Sequence, residues 1–415
     1  MGRKQASPVS IGLERELGLP EFIVTGKEEI DGDVLYTVYA SKRPVCWSCG
    51  YENPAIHSTS SVYVADLPRY GQRVGLRVQK QRYTCPKCKA TTPDDFTSYQ
   101  GKMTVRLRER IKRETLYRPF TKISEEYGCS PTKVNELFNE KQAECARKYH
   151  PTMPVNLAID RMPIHAGKTK YTILVDLDDA SGKTVEISNA ISQSAAEACL
   201  GRLNEPSRCK RVFLDLHEGY RKAVRSVLGE GVIVVVDRNH VVQALYEAFD
   251  GIRVELSKKN VVKNRNRAFA ANRLLLNTDY EKLNRRQCEH LAALIENYPE
   301  FQPAYELKEA FLNIYGADNA DSAKAYYQEW KDACQTEGVA GFDGFIGLID
   351  AWYDEVFAYF DNTGEEEKIT AAKAAVLKID REGFRYKFDV LRAKILYRNI
   401  VDEPLTGMMD FGKFK

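Results

Sequence analysis

The chain has no apolar run long enough to span a bilayer, and its start, Met-Gly-Arg-Lys-Gln, lacks the apolar core of a signal peptide. These absences lead to the expectation of a soluble cytoplasmic protein with no membrane partner. A disulfide framework is missing too. Six of the ten cysteines (Cys129, Cys145, Cys199, Cys209, Cys288 and Cys334) are scattered singly, as reduced thiols are. Excess charge of one sign is also lacking. With 61 Lys and Arg against 58 Asp and Glu, the net charge is +3, so contact with a polyanion must come from local patches. What remains is 415 residues that are 43% hydrophobic, enough for the cores of several domains.

The other four cysteines form two Cys-x-x-Cys pairs, Cys46/Cys49 and Cys85/Cys88. A redox motif would occur once. Two such turns point four thiolates at one ion and make a closed, tetrahedral, structural zinc site. Between the pairs lie strand-like runs, Ser61–Ala65 and Gln72–Gln79, separated by the turn Pro68-Arg-Tyr-Gly71. A zinc-ribbon β-domain over residues 1–98 is expected.

Residues 99–150 read as helices. Arg106, Arg108, Arg110, Lys112 and Arg113 make a basic helix suited to tracking phosphates. Lys80–Arg82 with Lys87 and Lys89, and Lys258, Lys259, Lys263, Arg265 and Arg267, are two further basic clusters. After the basic helix, Ile123 and Tyr127 share a face, Gly128 permits a left-handed turn, Ser130 is an N-cap followed by Pro131, and Val134, Leu137 and Phe138 resume the apolar stripe. This reads as a helix-turn-helix that offers Thr132, Lys133 and Asn135 to a major groove of double-stranded DNA.

From Pro151 the texture changes. Val155–Ile159, Tyr171–Val175 and Thr184–Ile187 read as strands, Ala195–Leu203 as a helix, Arg211–Leu216 as a strand, Gly219–Leu228 as a helix and Val232–Val236 as a strand. Three strands in a meander followed by helix, strand, helix, strand is the order of a ribonuclease H-like sheet. In that topology the first and fourth strands are neighbours, so Asp160 and Asp215 meet and can share two Mg²⁺ (or Mn²⁺) ions. Asp237 ends the fifth strand and His240 begins the next helix, close enough to touch DNA or a metal-bound water. The stretch from His240 to Phe360 is strongly helical, and Trp330 and Trp352 read as core.

These residues resemble the ISL-three group of insertion-sequence transposases, enzymes of the DDE type. The likeness runs through Ala65-Asp-Leu-Pro68, Arg82-Tyr-Thr-Cys85, Leu157-Ala-Ile-Asp160, Phe213-Leu-Asp-Leu216, Tyr220-Arg-Lys-Ala-Val224, Val236-Asp-Arg-Asn-His240 and Phe388–Leu396. The resemblance implies a multidomain α+β protein: a zinc ribbon (1–98), a basic helix and helix-turn-helix (99–150), a ribonuclease H-like core (151–240), a helical insertion (241–360), and the last part of the core with a C-terminal tail (361–415). It implies catalytic Asp160 and Asp215, with Asp237 and His240 beside them. It also implies a third acid after the insertion, with an Asn three residues later.

Counting back from the closing helix puts Thr370 and Lys373 at those two positions, whereas counting forward from Asn362 gives Glu366, flanked by Glu365 and Glu367. Glu366 is taken as the third acid. Arg161 stands where many relatives have an acid. The activity implied is binding of terminal inverted repeats, then Mg-dependent strand cleavage and strand transfer, by at least a homodimer on DNA in the bacterial nucleoid. The alternative is a catalytically inactive, transposase-derived regulator that binds DNA without the third acid. A nuclease or resolvase on the same sheet is a further possibility.

Overall fold

The computed structural model describes residues 13, 16–165, 167, 169–259, 272–362, 365–383 and 386–398, without the side chains of 257–259. The chain divides into two units, Met1–Tyr149 with Tyr397–Lys415, and His150–Leu396. The third basic cluster of the sequence lies outside the described side chains.

In the first unit the strands are β1 (Phe22–Ile30), β2 (Asp33–Ala40), β3 (Ala55–Arg69), β4 (Gln72–Thr84), β5 (Thr91–Pro93), β6 (Tyr99–Gln100) and β7 (Met103–Thr104). They form one mixed sheet in the order β1-β2-β4-β3-β7-β6, with β5 beside β4. Two hairpins set the register. Asp31 and Gly32 join β1 to β2, Tyr70 and Gly71 join β3 to β4, and all four residues have positive φ (51°, 83°, 50° and 80°). Two-residue turns of this kind twist as the paired strands do. Alternation then fills the core: Val34, Tyr36 and Val38 on β2 and Val74, Leu76 and Val78 on β4 bury every second side chain.

Helices α1 (Val105–Glu114), α2 (Phe120–Tyr127) and α3 (Pro131–Lys148) follow. Helix α2 stops where Gly128 turns left-handed (φ 63°), and α3 starts where Ser130 Oγ accepts from the Lys133 amide at 3.2 Å, with Pro131 in the first turn. Ile123, Tyr127, Val134 and Leu137 pack with Leu107 and Ile111, so the apolar stripes of the sequence are the buried faces.

The second unit is built on a five-stranded mixed sheet of β8 (Asn156–Ile164), β9 (Thr169–Asp176), β10 (Lys183–Ser188), β11 (Arg211–Leu214) and β12 (Ile233–Val236), in the order β10-β9-β8-β11-β12. β9 runs antiparallel to β8 and β10, while β11 runs parallel to both β8 and β12. Leu157, Ile159, Val212, Leu214, Val234 and Val236 face the side covered by α4 (Gln193–Leu200), α5 (Glu218–Leu228) and α6 (Arg238–Lys259). Ala158, Phe213 and Val235 face the other side, which is covered by α11 (Glu366–Glu382) and by Leu391 of α12 (Phe388–Tyr397). Between α6 and α11 lie α7 (Arg285–Asn297), α8 (Gln302–Asn313), α9 (Ala320–Thr336) and α10 (Asp343–Ala351). Their aromatic core, with Trp330 and Phe345 at 5.0 and 4.8 Å from Phe311, is continuous with the α4–α6 side.

One buried charge ties the closing helix to the sheet. Glu186 of β10 accepts from Arg392 Nε at 2.8 Å and Nη2 at 2.6 Å, and Arg202 stands 3.5 Å away. Removing one partner of a buried ion pair leaves the other charge uncompensated. Glu186→Ala is therefore expected to cost the second unit about 3 kcal/mol, seen as a lowered midpoint in chemical denaturation. An unchanged midpoint would show that the clamp contributes nothing.

Candidate active site and metal centre

The cysteine centre is made by two equivalent turns. The Gly50 amide donates to the Cys46 carbonyl and the Lys89 amide to the Cys85 carbonyl, each at 2.9 Å, and both donors have left-handed φ (70° and 63°). The Cys46 amide donates to the Tyr51 carbonyl and the Cys85 amide to the Ala90 carbonyl, again at 2.9 Å. The four sulfurs lie within 4.8 Å of one another, with Cys46–Cys88 and Cys49–Cys85 at 3.5 Å. Tetrahedral metal–sulfur bonds of about 2.3 Å fit such a cluster. Backbone N–H groups, Cys49's foremost, lower the Cys46 thiol below its usual range. The four residues read as ligands therefore come together, in a centre compatible with structural zinc.

The acidic centre follows from strand register. Ile159 pairs with Leu214, and Leu214 with Val236, so the next residue on each of three adjacent parallel strands is an aspartate: Asp160, Asp215 and Asp237. All three are nearly or fully buried. Two parallel pairings thus set three carboxylates abreast at one end of the sheet.

Helix α11 brings the fourth acid. Glu366 opens the helix and lies near Tyr359 and Asp237, with both of which it interacts electrostatically. One of its oxygens is buried without a hydrogen-bond partner among the described residues. Glu365 pairs with Lys368 at 3.0 Å, and Glu367 is exposed. Thr370, one turn beyond Glu366, is exposed, and Lys373, a further turn on, forms an ion pair with Asp160. The two ways of counting the third acid thus fall on one stripe of one helix, and the carboxylate on that stripe is Glu366.

Cations compensate the cluster. Burial raises the Asp160 carboxyl, but the His240 hydrogen bond and the Lys373 charge outweigh it and hold the group below the usual carboxylate range. His240 Nε2 is 3.5 Å from Asp160 Oδ1, and the Arg161 amide donates to that oxygen at 2.5 Å. For His240, burial opposes the charged form, yet the bond to Asp160 and the charges of Asp160, Asp237 and Asp215 raise its pKa. Asp215 is raised by burial despite its ion pair with Arg161, and Asp237 is raised by burial despite the Asn239 amide 2.7 Å from Oδ1. One Asp215 oxygen is buried with no hydrogen-bond partner among the described residues, as a carboxylate suited to a metal would be. The ion pairs of Arg161 and Lys373 were not legible in the sequence.

A transposase family model of the DDE type, ISL3, matches residues 157–395, more than half of the chain. The chain belongs to the ISL3 family of DDE transposases. A transposase for insertion sequence element IS1001 of Bordetella parapertussis is 21% identical over 361 residues, which cover 85% of this chain and 88% of that protein. In this transposase the matched segment contains Asp160, Asp215, Asp237, His240 and Glu366. Among its described residues, no helix is long and apolar enough to cross a membrane.

The residues expected to touch DNA divide sharply. Arg106 is bound to buried Asp66, which also accepts from Thr104 at 2.7 Å. Arg108 is held by Glu140 at 2.8 Å, and Lys112 by Glu109, Glu140 and Glu144 at about 3 Å. These three side chains are held by carboxylates of their own unit, a pairing that the reading of α1 as a basic, phosphate-tracking helix did not include. Arg110 pairs with Glu114 at 2.6 Å, and Arg113 is exposed. Thr132 and Asn135 are exposed on the first turns of α3, and Lys133 pairs with Glu136 there at 2.8 Å.

Proposed function

We propose that this protein binds the terminal inverted repeats of its element, cleaves them and transfers the strands through a carboxylate site of ribonuclease H-like topology. The observation that carries the reading is the row Asp160, Asp215, Asp237 on adjacent parallel strands, with Glu366 arriving from α11. Asp160 and Asp215 would hold divalent ions such as Mg²⁺ or Mn²⁺, completed by Glu366, and the ions supply charge stabilisation at the attacking and leaving oxygens. His240 orients Asp160 and stands ready to hold a proton near the reacting groups. Asp237, set between Asp215 and Glu366, fixes the helix start that carries His240, whose amide donates to the Asp237 carbonyl at 3.0 Å.

Recognition falls to the first unit. The four cysteines would hold zinc and keep the ribbon folded, and α3, the second helix of a helix-turn-helix, would enter the major groove with Thr132, Lys133 and Asn135. Two element ends are joined in one reaction, so at least a homodimer acts on DNA.

Glu366→Gln tests the third acid. With a labelled duplex carrying the element's ends and Mg²⁺ or Mn²⁺, cleavage is expected to fall at least about a hundred-fold, as two to three kcal/mol of lost transition-state stabilisation requires. Binding should be unchanged. Retained cleavage removes Glu366 from the site, and tight binding without cleavage by the unaltered protein would make it the inactive regulator.

A further inference from the structure

Asp215 has an unusual counter-charge. Its side chain is fully buried, and its Oδ2 is bound by Nε of Arg161, whose own side chain is 36% exposed. Arg161 directly follows Asp160 on β8 and touches both acids: its amide holds Asp160 Oδ1, and its guanidinium holds Asp215. Lys373 comes to Asp160 from a separate helix and His240 from another, so among these cations Arg161 is the one rooted on the strand beside the two aspartates. Among the described residues, Arg161, Asp160, His240 and Tyr220 interact with Asp215, and of these the guanidinium forms the ion pair.

A buried carboxylate without compensation is costly, and a guanidinium bonded to it supplies that compensation. A divalent ion on Asp215 would supply the same charge to the same group. Two cations this close repel strongly in a partly buried site. The exposure of the Arg161 side chain gives the guanidinium a route to solvent.

We propose that Arg161 is the resident counter-cation of Asp215, bound where a divalent ion would bind, and that ion binding requires its guanidinium to swing out. The proposal rests on the reading of Asp160 and Asp215 as metal ligands. Arg161 is then a positioning residue. It keeps the acid row charge-balanced before loading, and it lowers the affinity of the site for the ion.

The test is Mn²⁺ titration of the full-length protein without DNA, following the signal of the free ion by electron paramagnetic resonance. The proteins compared are the unaltered chain, Arg161→Ala, Arg161→Lys, Asp160→Asn and Asp215→Asn. Arg161→Ala is expected to bind Mn²⁺ at least about ten-fold more tightly, since a repelling charge is removed from a low-dielectric site. Its metal-free form should melt at a lower temperature, and Mn²⁺ should raise that temperature by more than in the unaltered protein. Arg161→Lys should fall between the two, and it carries the comparison if Arg161→Ala fails to fold by circular dichroism. Equal or weaker Mn²⁺ binding by the Arg161 variants, with binding still lost in Asp160→Asn and Asp215→Asn, overturns the proposal and leaves the metal reading standing. Mn²⁺ binding that is unaffected by both aspartate changes overturns the metal reading itself.

Discussion

Replacing Cys85 by Ser, or stripping the metal with a strong chelator, is expected to unfold the first unit. Its sheet depends on the long β3–β4 hairpin, and the two cysteine turns sit just before β3 and just after β4, so together they close the end opposite the Tyr70-Gly71 turn. Cys85 is fully buried, and without an ion its sulfur and three others would be left facing one another. Binding of structural zinc contributes on the order of 10 kcal/mol to folding, comparable to the whole stability of a domain. The variant should release its zinc, lose β-sheet signal in circular dichroism and lose specific DNA binding. A Cys85→Ser protein that stays folded, or an unaltered protein that purifies with far less than one zinc per chain, would refute a structural zinc.

The second large effect is expected at the acid row. Asp160→Asn and Asp215→Asn keep shape and volume but remove the charge that divalent ions require. Loss of several kcal/mol of transition-state stabilisation corresponds to a drop of about a thousand-fold or more in cleavage rate. DNA affinity should change little, because the expected reading helix belongs to the other unit. Quantitative cleavage and mobility-shift assays on the same preparations separate the two effects. Full cleavage by Asp215→Asn would end the two-metal account.

Much of this was legible where local chemistry decides the structure. Gly128, Ser130 and Pro131 fix a helix stop and a helix start within three residues, and the structure has both. The two Cys-x-x-Cys turns converge, and the strand texture after Pro154 yields the observed five-strand order. The β1–β2 hairpin was missed, although Asp31-Gly32 is a strong turn signal, because β1 carries near its end the charged run Lys27-Glu-Glu29, which breaks the alternation of a half-buried strand.

The partners of the basic helix were hidden for a different reason. A cation's charge is visible in sequence, but its partner is not: Asp66 lies 40 residues from Arg106, and Glu140 lies 32 from Arg108. The third acid was ambiguous because Glu366, Thr370 and Lys373 are one turn apart on one helix. A one-turn ambiguity in alignment moves along the same stripe, and spacing alone cannot say which rung carries the carboxylate.

The acid row also has a history in time. β8, β11 and β12 leave the ribosome close together, whereas α11 emerges about two hundred residues after Asp160, behind the whole run of intervening helices. At about 10 residues per second that is a lag of roughly twenty seconds. For the last part of it, about 130 residues or roughly thirteen seconds from Asp237 to Glu366, the nascent chain has its first unit's sheet and helices and the three aspartates, but no Glu366. Any DNA engaged in that interval would meet the proposed reading helix before the proposed carboxylate site is complete.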